Sequence, residues 1–118
     1  MDNLGKTGEK HAVNFLKQNG YRIQQCNWKC PLGEIDIIAS DRDILCIIEV
    51  KTRQDQEFGG PWDAINDRKK HKISKLAQWY CSQKGIKNRS LRFDVVLLWA
   101  DSDGKITNTE LLRDAIRL

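Results

Sequence analysis

The sequence predicts a single α/β domain in which helices pack against a mixed β-sheet. Three observations predict this class: an amphipathic segment near the start, two strand-like runs around a short polar turn, and a second amphipathic segment followed by an apolar run. The predicted order α-β-β-β-α-β-β places helices on the faces of one sheet. A chain of 118 residues is long enough for one core and too short for two, so residues 1–118 are expected to form one domain.

The first predicted helix covers residues 3–19, where apolar side chains recur at helical spacing. Gly20 follows it, and glycine readily adopts the left-handed conformation that ends many helices. Residues 21–29 then alternate as an extended segment, and the proline and glycine in residues 31–33 indicate a turn.

A β-hairpin is the clearest local signal. Residues 34–39 and 44–50 are strand-like runs, and residues 41–43 between them form a polar turn. We expect the turn to centre on residues 42–43, which sets the register of the two strands. One face of the hairpin is then apolar and is predicted to join the core: Ile35, Ile37, Ala39, Ile48 and Val50.

The opposite face of this hairpin gathers charged side chains. In the expected register Asp36 lies opposite Glu49, and Glu34 lies opposite Lys51. Two carboxylates about 5 Å apart repel by roughly 3 kcal/mol at moderate effective dielectric constants. Bound Mg²⁺ would offset this repulsion, because it prefers oxygen ligands and takes one or two carboxylates. The alternative is an exposed face on which Lys51 and Arg53 neutralise the carboxylates as ordinary salt bridges.

The rest of the chain supplies one more helix and two more strands. Residues 52–60 are predicted to be a polar loop, and Pro61 can begin a helix that ends at Gly85. Residues 92–99 form an apolar run suited to a buried strand. Residues 105–111 are expected to be an edge strand, with a short helix after them.

Composition narrows the class of protein. The chain is 40% apolar and 31% charged, and 20 basic against 16 acidic residues give a net charge of +4. This charge is only a weak preference for polyanions, although residues 68–75 concentrate basic side chains that either attract nucleic acid or are simply solvated. No apolar run suits a membrane span or signal peptide, so we expect a cytoplasmic protein with no membrane partner. The four cysteines are expected to be reduced and mostly buried rather than zinc ligands.

Two short motifs resemble a known nuclease pattern. Gly-Glu-Ile-Asp at residues 33–36, followed by Glu-Val-Lys at residues 49–51, is similar to the D-x(n)-E-x-K core of the PD-(D/E)XK nuclease superfamily. Over nearly its whole length the chain also resembles the bacterial YraN-like family of small proteins, which in turn is similar to archaeal Holliday-junction resolvases. The resemblance implies a restriction-endonuclease-like mixed sheet with an αβββαβ core. The matching segments are residues 8–9, 20–21, 33–39, 49–53, 64–65, 69 and 92–96.

The resemblance also implies roles for individual residues. Asp36, Glu49 and the Val50 carbonyl would bind Mg²⁺, or Mn²⁺ in its place, and Lys51 would be the catalytic lysine. Glu9 matches a helix glutamate that approaches the metal in the resolvases; the alternative for Glu9 is a solvated helix carboxylate.

Basic residues near this core are expected to contact nucleic acid. Arg53 is placed to reach a phosphate, with a salt bridge as its alternative role, and Lys69 is expected to reach the backbone of bound DNA. Asp94 is expected to fix structure near the end of the sheet rather than bind metal. Other cations of the second predicted helix would add electrostatic attraction: Arg68, Lys70, Lys72 and Lys75.

Three functions remain open from the sequence. The first is a Mg²⁺-dependent endonuclease that cuts DNA rather than RNA, at branched or irregular structures, and acts as a homodimer by analogy with the resolvases. The second is a catalytically weak nucleic-acid-binding module of the same fold. The third is a protein-interaction module anchored by Trp28 and Trp62.

Overall fold

The computed structural model describes residues 4–54 and 67–117, with side chains from residue 7 onward. In chain order the elements are α1 (Leu4–Gln18), β1 (Arg22–Cys30), β2 (Gly33–Asp41), β3 (Ile44–Gln54), α2 (Asp67–Lys84), β4 (Leu91–Ala100) and β5 (Ile106–Leu112). The strands form one sheet in the order β1-β2-β3-β4-β5, in which only the β3–β4 pair is parallel. The predicted restriction-endonuclease-like mixed sheet flanked by helices is confirmed.

The two helices cover opposite faces of this sheet. Ala12 and Leu16 of α1 belong to one buried apolar cluster, and Leu76 and Tyr80 of α2 belong to another. Because successive strand residues point to opposite faces, neighbouring residues divide between the two clusters. Both faces are therefore core over most of the sheet. The α1 cluster includes Ile37, Ile48 and Val96, and the α2 cluster includes Ile38, Ile47 and Val95.

The hairpin has the predicted register, but it is shorter than expected. Its turn lies at residues 42–43, and the antiparallel β2–β3 ladder extends as far as the pair Ile37–Ile48. The next predicted pair, Asp36 opposite Glu49, does not form, because β2 continues along β1 while β3 continues along β4. The two strands therefore diverge where the charged side chains begin.

Two predicted elements are wrong. β3 runs to Gln54, so residues 52–54 are strand rather than loop, and parallel pairing with β4 extends over them. Up to residue 117 the predicted final helix does not form: Ala115 N–H donates to the Phe93 carbonyl at 2.8 Å, which returns this part of the chain to β4. Residues 55–60 of the predicted loop and the predicted helix start at Pro61 lie outside the described residues.

Two further expectations concern thiols and membranes. All four cysteines are free, but only Cys46 is buried, and Cys26, Cys30 and Cys81 are half-buried. Neither α1 nor the described α2 is long and apolar enough to cross a membrane.

Gly8 allows α1 to approach the sheet closely. A Cβ atom at this position would overlap Thr52 Oγ1 and lie 3.1 Å from Leu98 Cδ1. We expect Gly8→Ala to lower the free energy of unfolding by about 1–2 kcal/mol, because the overlap outweighs the better helix propensity of alanine. Urea denaturation measures the change, with Asn14→Ala on the exposed side of α1 as the control. Equal stability of the two variants would contradict the close approach.

Candidate functional site

A cavity of about 380 Å³ lies between the diverging ends of β2 and β3 and helix α2. The four charged hairpin side chains predicted to share one face all line it, although Glu34 pairs with Lys29 of β1 rather than lying opposite Lys51. Two lysines of α2 complete the polar wall, and the floor is apolar. The polar lining residues are Glu34, Asp36, Glu49, Lys51, Lys69, Lys72 and Asp94.

Asp36 lies at the point where β2 and β3 diverge. Val50 N–H donates to Asp36 Oδ2 at 2.8 Å, so the carboxylate takes the place of a backbone acceptor. The N–H and C=O of one strand residue point to the same side, and the Val50 carbonyl therefore also faces the gap beside Asp36. Burial raises the pKa of Asp36 to about 6, and the charges of Glu49, Glu34 and Glu9 act in the same direction.

Glu49 has one paired and one unpaired carboxylate oxygen. Lys51 Nζ lies 3.0 Å from Glu49 Oε1, whereas the buried Glu49 Oε2 has no hydrogen-bond partner among the described residues. A buried charged oxygen without a partner costs more than the ~1–3 kcal/mol of a neutral group. The arrangement therefore favours a cationic ligand at this oxygen.

Two lysine amines meet at the same wall of the cavity. Burial acts to lower the pKa of Lys51, but the hydrogen bond and charge of Glu49 outweigh burial and raise it. A hydrogen bond with Lys51 lowers the pKa of Lys69, and burial adds to this effect. The two amines therefore form the basic part of a wall that also carries the Glu49 carboxylate.

The oxygen atoms at the centre of the cavity fit a hard divalent cation. Asp36, Glu49 and the Val50 carbonyl supply the donors that Mg²⁺ and Mn²⁺ prefer, and Glu49 Oε2 is buried with no partner in the described part of the chain. Within residues 4–54 and 67–117 no three His, Cys, Asp or Glu side chains form a metal-binding group. A cation here would complete its ligands with water or substrate oxygens, which is usual for Mg²⁺.

Asn27 was not predicted as a site residue, and its side chain holds Glu9. Asn27 adopts a φ of 53° within β1, and its Nδ2 donates to Glu9 Oε1 at 2.5 Å. Glu9 does not line the cavity, but it is close enough for its charge to raise the pKa of Asp36. Asparagine is among the few residues that adopt this backbone conformation readily. An asparagine inside the extended segment was the available signal, but the sequence does not indicate its partner.

The remaining predicted nucleic-acid contacts are spread around the cavity. Lys69 and Lys72 line it. Arg53 is half-buried in β3, and its charge acts on Lys51. Arg68 is exposed and Lys70 half-buried on α2, and neither lines the cavity.

Asp94 has the contacts of a structural residue. It is fully buried, and its carboxylate accepts hydrogen bonds from Arg92 Nε at 2.9 Å, Tyr21 Oη at 2.7 Å and Asp114 N at 2.9 Å. Burial acts to raise the pKa of Asp94, but these three donors outweigh burial and lower it. These hydrogen bonds connect β4 to Tyr21 and to the segment after β5.

Trp28 is not an exposed anchor. Its side chain is only 4% exposed and packs edge-on against Tyr80, with ring centroids 5.3 Å apart. A protein-interaction role for Trp28 is therefore wrong, and Trp62 lies outside the described residues.

Over most of its length the chain is similar to proteins of one family. Residues 8–98 match the model of the uncharacterised protein family UPF0102, a range that includes most of α1, the hairpin, the described α2 and most of β4. A UPF0102 protein of Moorella thermoacetica is 40% identical over 111 residues, which cover 94% of this chain and 92% of the relative. A UPF0102 protein of Dictyoglomus thermophilum is 42% identical over 112 residues, 95% of either chain. A third, from Clostridium botulinum, is 40% identical over 98% of this chain and 94% of its own.

Proposed function

The chain belongs to the uncharacterised protein family UPF0102, the YraN family, and on the basis of its cavity we propose that it is a metal-dependent endonuclease acting on DNA. One observation supports this proposal above the others. The buried Glu49 Oε2 lacks a partner among the described residues, in a cavity that also contains the Asp36 carboxylate. Asp36 and Glu49 are both half-buried, and the raised pKa of Asp36 is typical of a carboxyl group in a functional cleft.

The proposed chemistry is hydrolysis of a phosphodiester bond. A divalent cation held by Asp36, Glu49 and the Val50 carbonyl would polarise the phosphate and activate water. The Lys51 ammonium, 3.0 Å from Glu49 Oε1, is positioned to stabilise negative charge that develops on the phosphate. Lys69 is next to it and would bind an adjacent phosphate oxygen.

Asn27 serves this site as a positioning residue. Its hydrogen bond keeps Glu9 on the side of α1 that acts electrostatically on Asp36. We expect Asn27→Gly to slow cleavage by about 10-fold, since loss of a partner that orients an acidic group near a metal typically costs roughly 10- to 100-fold. Glycine removes the side chain and still tolerates the positive φ. Restoration of activity by a higher Mg²⁺ concentration would identify weakened metal binding as the cause.

Asn88 provides a matched control for this variant. It also has a positive φ, of 55°, and it is exposed in the segment before β4, away from the cavity. Asn88→Gly should retain wild-type cleavage. Equal activity of the two variants would show that Asn27 has no positioning role.

A panel of labelled substrates tests the proposed function. Purified protein is incubated with single-stranded, duplex, flap and four-way-junction DNA and with RNA, in Mg²⁺, Mn²⁺ or EDTA. Cleavage of DNA that requires metal would support the proposal and identify the preferred structure. Binding without cleavage in every metal would instead favour the catalytically weak binding module, in which Lys51 neutralises Glu49 as a simple ion pair.

A further inference from the structure

A second concave surface lies beside the cavity, between the β1–β2 turn and α2. It is an open groove with a volume of about 690 Å³. Two of its six lining residues are large exposed apolar side chains: Leu32 is 42% exposed and Trp79 is 40% exposed. None of the six is acidic. The lining residues of this groove are Leu32, Lys75, Gln78, Trp79, Ser82 and Gln83.

The groove continues a basic stripe on α2. Arg68, Lys72, Lys75 and Trp79 follow one another at intervals of four, three and four residues, so they lie on one face of the helix. All four are exposed. Three cations thus lead along the helix to an exposed indole ring.

The stripe also connects the groove to the cavity. Lys72 lines the cavity, and its side chain lies against Gly33, where an added Cβ would be 3.1 Å from Lys72 Cε. Leu32, the preceding residue in the same turn, lines the groove together with Lys75. A chain of phosphates bound by Lys72 would therefore pass directly from the cavity to the groove.

We infer that this groove binds an unpaired nucleotide of the nucleic-acid substrate, with Trp79 stacking on the base and Lys75 contacting a neighbouring phosphate. The inference rests on the proposed function for the identity of the polymer. Inside a duplex, neighbouring base pairs cover both faces of each base, so an indole ring there would stack on a base that is unpaired or displaced. Trp28 Nε1 donates to Gln83 Oε1 at 3.2 Å, which orients the amide of Gln83 beside the groove.

Equilibrium binding in EDTA tests the inference without requiring cleavage. Fluorescence anisotropy is measured with a single strand, a duplex of equal length and a duplex with a single-stranded tail. Trp79→Ala should weaken binding of the single strand and of the tailed duplex by about 5- to 30-fold, which is typical for loss of one stacked base. Duplex binding should change by less than about 2-fold, since only electrostatic contacts are involved.

Three further variants separate stacking from other effects. Trp79→Phe should retain most of the affinity, because an aromatic face remains. Lys75→Gln should weaken single-strand binding and reduce its salt dependence by roughly one phosphate contact. Leu91→Ala removes an equally exposed side chain, 40% exposed on β4 and outside the groove, and should leave binding unchanged.

Several outcomes would overturn the inference. Single-strand affinity of Trp79→Ala equal to that of Leu91→Ala would mean that the groove binds no base, and equal losses for single strand and duplex would exclude stacking. A change from dimer to monomer in Trp79→Ala, measured by light scattering, would assign the groove to a second copy of the chain.

Metal-dependent cleavage with binding insensitive to Trp79 would refute this inference alone. Trp79-sensitive binding without any cleavage would support it and refute the nuclease.

Discussion

Replacing Asp94 by asparagine is expected to lower the free energy of unfolding by about 3 kcal/mol, because breaking a buried ion pair leaves its partner uncompensated. Asp94 is fully buried and accepts from Arg92, Tyr21 and the Asp114 amide. The asparagine amide group would place donors where the carboxylate now accepts. Arg92 would retain its 2.7 Å ion pair with Asp41, which limits the loss.

The effect of Asp94 on stability should depend on pH. Its partners lower the pKa of the carboxyl in the folded state, so folding favours the ionised form. The contribution is therefore fully present above the unfolded pKa of about 4, and it is lost as the pH falls through the lower folded value. The stability difference between wild type and Asp94→Asn should be constant near neutral pH and should narrow in acid.

Asp114→Asn is the control for this prediction. The Asp114 side chain is exposed and pairs with the exposed Arg117, and asparagine tolerates its φ of 55°. Its free energy of unfolding should change by less than about 0.5 kcal/mol in urea denaturation. Similar losses in both variants would mean that the buried cluster does not stabilise β4.

Glu49→Gln and Asp36→Asn are each expected to slow cleavage by about 10³-fold or more. Losing a ligand of a catalytic cation removes several kcal/mol of transition-state stabilisation, and about 4 kcal/mol corresponds to roughly 10³-fold in rate. The fold should persist, because the asparagine of the Asp36→Asn protein would still offer an oxygen to the Val50 amide. The free energy of unfolding of Asp36→Asn should be unchanged or raised, because burial and the neighbouring acidic side chains disfavour the ionised Asp36 carboxylate.

Glu34→Gln tests whether cleavage depends on particular metal ligands or only on the negative charge of the cavity. Glu34 also lines the cavity, but its side chain is exposed, and it pairs with Lys29 of β1 rather than with a residue of β3. Its cleavage rate should remain within about 3-fold of wild type, because it offers no ligand in the proposed site. A loss of cleavage rate as large as that of Glu49→Gln would indicate that activity depends on the net negative charge of the cavity rather than on particular ligands.

The hairpin could be predicted because two local signals agree. Strand alternation and the polar turn at residues 42–43 set the register, and the structure has that register up to Ile37–Ile48. The divergence of the two strands could not be predicted, since it depends on the pairing of β3 with β4, more than 40 residues later in the chain. That divergence opens the cavity and frees the Val50 amide for Asp36.

Contacts between residues far apart in the chain also could not be predicted from the sequence. Helical periodicity placed Glu9 on the first helix, but its bond to Asn27 depends on how α1 packs on β1. The end of the chain was misjudged for the same reason. Its residues were expected to form a short helix, whereas the Asp114 and Ala115 amides bond to Asp94 and Phe93 of β4.

The most direct test is the rate of DNA cleavage as a function of Mg²⁺ concentration, measured side by side for wild type and Glu49→Gln. The substrate is the DNA structure that wild type cleaves best. We expect no cleavage in EDTA, a saturable rise with Mg²⁺ for wild type, and a rate at background for a folded Glu49→Gln protein. Cleavage that persists in EDTA, or that is equal in the two proteins, would contradict the assignment of the cavity as a metal-dependent nuclease site.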